Sequence, residues 1–164
     1  MDRQNPKAVQ KIGADPLGLA GRAAVGVILV AAGTFKAAAP PEEFALIIQS
    51  YHLSFVSTDL ARSLAVFMPW FELLVGYSLI LGYMTRWASI AAAGLLSCFV
   101  GALLSLKARG IELPNCGCFG VRGFHPSPTA TLCMDVVLLV AAYLAFTRGE
   151  TAPSLDKWAD ASYT

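Results

Sequence analysis

The sequence predicts an all-α membrane protein: a four-transmembrane-helix bundle with an interfacial segment between spans 1 and 2. Three observations carry this expectation. Hydrophobic residues make up 56% of the 164-residue chain and charged residues 14%, well below the quarter or so typical of soluble domains. Four apolar runs each approach the roughly 20 helical residues needed to cross a bilayer core. Most charged residues gather between or outside those runs, with Arg22, Lys36, Glu72 and Asp135 as the exceptions. The net charge of +1, without a basic block, gives no footprint for nucleic acid, so the surrounding partner is the lipid bilayer.

Residues 1–15 carry Asp2, Arg3, Lys7, Lys11 and Asp15, too polar for the apolar core of a signal peptide, so the first hydrophobic segment is expected to stay as an anchor. The first span is placed at 16–39, with an uninterrupted apolar centre over 23–35. Arg22 and Lys36 near its ends are expected to snorkel to the headgroups. Gly26, Ala31, Ala32 and Gly33 suit the close approach of another helix. Pro40 and Pro41 end this helix. Residues 42–56 mix Phe44, Leu46, Ile47, Ile48, Tyr51, Leu53 and Phe55 with polar residues, which predicts a partly helical segment lying on the membrane over the bundle mouth. His52 is read either as a solvated interfacial residue or as a proton carrier or metal ligand.

The second span is placed at 63–85 and contains Pro69, expected to kink the helix, and Glu72. At about 1.5 Å of rise per residue Glu72 falls near mid-membrane, where an ionisable group needs a partner or a cavity. A functional role and a structural hydrogen bond both remain open. After the Thr85-Arg86 turn, the third span at 87–106 is free of charge, and Cys98 inside it reads as a small buried hydrophobe. Residues 107–128 form the long connection. The fourth span, 129–147, has Cys133 and Asp135 near its start, and 148–164 is a polar tail.

The connection holds the chain's most chemical stretch, Leu113-Pro114-Asn115-Cys116-Gly117-Cys118-Phe119-Gly120, in which both thiols are expected to be exposed on a turn near the membrane surface. A disulfide closed across one residue is strained and easily reduced, which suits exchange better than stapling. Gly117 supplies the backbone angles that such a ring needs. Cys116, Cys118 and His125 offer three metal ligands at best, short of a closed zinc site, so no metal is expected. With four spans, the termini and the Thr85-Arg86 turn share one side and hold seven Lys and Arg residues, against five opposite. The bias predicts cytoplasmic termini and a periplasmic Cys-Gly-Cys hairpin, in the compartment where disulfides persist.

The chain resembles the MauE/DoxX family of small four-helix membrane proteins. The resemblance rests on Gly33-Thr34-Phe35-Lys36, on the second span centred on Glu72 and ending Leu81-Gly82-Tyr83-Met84-Thr85-Arg86, and above all on Cys116-Gly117-Cys118-Phe119-Gly120. It extends over roughly residues 18–147. In the MauE branch it implies a role in maturing a disulfide-rich periplasmic enzyme subunit of methylamine oxidation, beside a thioredoxin-like partner. In the DoxX branch it implies quinone-coupled oxidation of sulfur compounds and redox homeostasis. The resulting expectation is a thiol-disulfide oxidoreductase of the bacterial inner membrane, with Cys116 and Cys118 passing electrons from a periplasmic thiol protein to a quinone. Glu72 or Asp135 would take up protons, and Cys98 with Cys133 would form a second dithiol. The competing expectation is a non-catalytic accessory or assembly subunit of a larger respiratory, photosynthetic or dehydrogenase complex, with the Cys-Gly-Cys turn as a clip.

Overall fold

The computed structural model describes residues 16–52, 56–111, 117–119 and 127–148. Five helices follow one another: α1 (Pro16–Ala37), α2 (Pro41–Ser50), α3 (Thr58–Leu81), α4 (Thr85–Ala108) and α5 (Pro128–Arg148). No strand occurs among the described residues. α1, α3, α4 and α5 are each long and apolar enough to cross a membrane, and α2 is not. The chain is a multi-pass membrane protein with four spans and one short lateral helix.

Local chemistry sets the ends of these helices. α2 starts with Pro41 in its first turn, where a missing N–H is harmless, and carries Glu42 and Glu43 at the positive end of the helix dipole. α3 begins at Thr58, earlier than the expected 63, because Ser57 caps it by accepting from the Leu60 N–H at 3.2 Å. It runs through Pro69 as one helix and stops at Leu81, where Gly82 adopts a left-handed conformation with φ 70°. Met84 is also left-handed, with φ 46°, so three residues reverse the chain and α4 begins at Thr85.

α1 packs against α3 and α5, and α4 closes the ring by packing against α3 and α5, while α2 lies mainly on α3. α1 crosses both of its neighbours closely: a Cβ on Gly21 would lie 2.7 Å from the Ala141 carbonyl oxygen of α5, and the crossing with α3 is nearly as tight. A Cβ added to Gly26 would lie 2.9 Å from the Gly76 carbonyl oxygen, and one on Gly76 would lie 2.9 Å from that of Gly26. Such contact distances replace the hydrophobic drive that lipid cannot supply between helices. Around this crossing Val25, Leu29, Val75, Leu79, Leu96 and Leu138 form the centre of the core.

Arg22 departs from the expected snorkelling. It is buried, and its Nε donates to the Leu79 carbonyl at 3.0 Å. The last carbonyls of α3 have no partner within their own helix, and a guanidinium from α1 satisfies one of them.

Candidate functional site

The glycine face of α1 also sets the polar centre of the bundle. A Cβ on Gly33 would lie 2.9 Å from the Pro69 carbonyl oxygen and 3.2 Å from the Glu72 Cβ, so the two backbones nearly touch. Three residues further along each helix, Lys36 and Glu72 meet. Lys36 Nζ is 2.5 Å from Glu72 Oε1, with both side chains fully buried. The same ammonium lies 5.5 Å from the Phe44 ring centroid on α2 and 4.9 Å from that of Phe99 on α4, within cation–π range. Glu72 Oε2 has no hydrogen-bond partner among the described residues. One cation from α1 therefore touches α2, α3 and α4.

The expectation that Lys36 snorkels is overturned. Lys36 lies on the stripe of α1 that includes Arg22, Val25, Leu29 and Gly33, all buried. A helix shows that stripe to its neighbours and not to lipid. The signal was the three-residue step from Gly33 to Lys36, on the face where the small residues already demanded a partner.

Gly117, Cys118 and Phe119, the described part of the motif, lie buried against the bundle. Gly117 has φ 71°, the left-handed conformation that its position in the motif requires, and a Cβ there would sit 2.6 Å from Ile47 Cγ2. Glycine is thus demanded twice, by backbone angle and by the closeness of α2. Cys118 and Phe119 are 9% and 8% exposed and pack with Ala32 and Leu103. Exposure was expected for Cys118, but the apolar phenylalanine after it draws the turn into the bundle mouth. Cys116 and His125 lie outside the described residues, as do Arg122 and most of the connection.

Cys118 opens instead on a cavity of about 520 Å3 between α2, α3, α4 and the turn. Phe44, Ile47 and Tyr51 form its roof, and Leu64 and Met68 of α3 one wall. Cys98, Phe99 and Ala102 of α4 form the other. Its place in an apolar run predicts a buried Cys98, and the structure differs. It is exposed on the outside of the bundle, with a free thiol, and borders the cavity. Cys133 is likewise exposed with a free thiol, but on α5 and away from the cavity lining. The structure thus brings Cys98 to the same cavity as Cys118 and leaves Cys133 out of it. Asp135 is buried in α5, 3% exposed, and also outside the lining.

Arg109 fastens the roof. Its guanidinium donates to the carbonyls of Tyr51 and His52, the latter at 2.8 Å, and to Ser105 Oγ at 2.8 Å, while Nε donates to the Ser105 carbonyl. His52 itself is exposed with φ 48°. Its carbonyl, rather than its ring, makes the contact with Arg109. Among the described residues no three His, Cys, Asp or Glu side chains gather as a metal site.

A family model described as methylamine utilisation protein MauE matches residues 14–148. Neither the curated proteins nor the solved structures contain a match to the chain.

Proposed function

The chain belongs to the MauE family, and from that premise we propose that it is a membrane accessory protein of methylamine utilisation whose Cys116-Gly117-Cys118 turn performs thiol-disulfide exchange. The observation that supports this reading is the position of Cys118, buried and facing a largely apolar cavity between α2, α3 and α4. The two sulfurs then divide the work. Exchange with a periplasmic thioredoxin-like protein falls to Cys116, because Cys118 is covered by the bundle. A partner thiolate attacks Cys116 Sγ, the Cys116–Cys118 bond breaks, and Cys118 leaves as a thiolate. The second partner thiol then resolves the mixed disulfide, leaving the partner oxidised and both cysteines of the turn reduced. The electrons go on to a two-electron acceptor in the membrane, a quinone. Cytoplasmic termini in a bacterial inner membrane place the turn on the oxidising side.

A redox titration of the pair in membranes tests this. Exchange catalysts have midpoints from about −270 to −120 mV, whereas structural disulfides lie below about −300 mV. We expect Cys116 and Cys118 to titrate together in the first range. Thiols that stay reduced throughout, or a bond that resists reduction to the structural limit, would overturn the exchange chemistry. The second result would favour the non-catalytic assembly subunit, a reading that the packing of Phe119 with Ala32 and Leu103 and of Gly117 against Ile47 also suits.

A further inference from the structure

We propose that the cavity beneath α2 is a binding site for the ring of a membrane quinone, entered from the lipid along the α4 face that carries Cys98. This inference rests on the exchange reading for its chemistry but not for its geometry. Its volume of about 520 Å3 lies within the 300–1,000 Å3 usual for small-molecule sites. Phe44, Tyr51 and Phe99 supply flat faces against which a conjugated ring packs. The Lys36 ammonium fixes two of those rings from α1, so the walls are organised before a ligand arrives. Cys98 lies in the middle of the α4 span, is exposed on the outside of the bundle and borders the cavity, so the approach past it runs through the lipid-level face of α4.

Chemistry narrows the occupant further. An acceptor for Cys118 must come to an apolar wall, which excludes charged soluble carriers such as nicotinamide nucleotides. Forming the Cys116–Cys118 bond from two thiols releases two electrons and two protons, and a quinone takes up both to become the quinol. A phospholipid chain fits the apolar walls but accepts no electrons. Comparing the two ligands separates site from solvent.

The test uses the full chain in phosphatidylcholine nanodiscs, with an azidoquinone as photolabel and peptide mass spectrometry as readout. We expect label on the 44–51 and 98–105 segments. Decylubiquinone at about ten times its Kd should reduce it about tenfold, by mass action. Decylbenzene at the same concentration should leave it unchanged. Ala102→Phe, which fills the cavity from α4, should abolish the competed label. Label spread over the outer faces of α3 and α5, or equal competition by decylbenzene, would overturn the site. The same experiment on Cys116→Ser/Cys118→Ser protein separates the two proposals. Competed label on this variant supports the site without exchange chemistry. If the native turn exchanges with reduced thioredoxin while no competed label forms, only the quinone site falls.

Discussion

Glu72→Gln and Lys36→Met, singly and together, test whether the bundle centre is an ion pair and not two independent polar residues. Both side chains are fully buried and in direct contact. Removing one member of such a pair strands the other charge, a loss of about 3–5 kcal/mol. Glutamine keeps the shape of glutamate, so the Glu72→Gln loss reports charge rather than a void. The two aromatic rings over Lys36 retain about 2 kcal/mol of attraction for the orphaned ammonium, so this single loss falls at the low end. Methionine at 36 keeps an unbranched chain against Phe44 and Phe99, with sulfur–aromatic contacts of about 0.3–1.5 kcal/mol. The double variant strands no charge, and we expect it within about 2 kcal/mol of the parent, far from the sum of the singles. Equilibrium unfolding in mixed micelles, followed by tryptophan fluorescence, gives the four free energies of the cycle. Additive losses, or a single loss below about 1 kcal/mol, would refute the pair as the organising contact.

Gly117→Ala forces a side chain into a left-handed backbone, at about 1–2 kcal/mol, and drives its Cβ toward Ile47. Membrane-permeant maleimide should then modify Cys118 faster, and Ile47→Ala should restore only part of the protection because the backbone strain remains. Arg109→Ala releases the Tyr51 and His52 carbonyls, and hydrogen exchange over 41–52 should accelerate while that of α1 and α3 is unchanged. Gly26→Val overpacks the crossing with Gly76 and should destabilise the bundle by about 1–3 kcal/mol. Gly94→Ala, with nothing within 4 Å, should fall within about 1 kcal/mol of the parent.

The four spans and the lateral helix were legible because length, hydropathy and proline placement act locally. What lay beyond a linear reading was direction around each helix. In a soluble protein an apolar residue points inward, but in a bilayer Trp70, Leu74, Trp87 and Val137 are exposed, so hydropathy no longer separates core from surface. Cys98 reads as buried on that rule and faces outward. Lys36 and Arg22 read as headgroup anchors and face inward. On α1 and α3 the marker of an inward face is glycine: Gly26, Gly33 and Gly76 lie where backbones touch, and Lys36 follows Gly33 by one turn, whereas Gly94 and Gly101 on α4 are exposed. Of the candidate site, the Cys-Gly-Cys motif and the need of Glu72 for a partner were readable. Which cation answers Glu72, and which cavity Cys118 faces, depend on the packing of four distant segments.

α2 illustrates how such packing governs access to the site. A ten-residue helix is too short to hold its shape by propensity, and only Phe44 and Ala45 within it are buried. Beside its apolar face on α3, where Phe44 and Ala45 pack with Ala65 and Met68, three contacts of different kinds fasten it: Phe44 against the Lys36 ammonium, Ile47 against the bare backbone of Gly117, and the Tyr51 and His52 carbonyls on Arg109. The side chains of residues 44, 47 and 51 share one helical face and line the cavity, while the Arg109 bonds go to backbone carbonyls just past the end of the helix. The roof over Cys118 is therefore held at these points as well as by its apolar contact with α3. Weakening any one fastening should expose Cys118 before it unfolds the bundle, so thiol reactivity should respond to Arg109→Ala at temperatures where the helices remain intact.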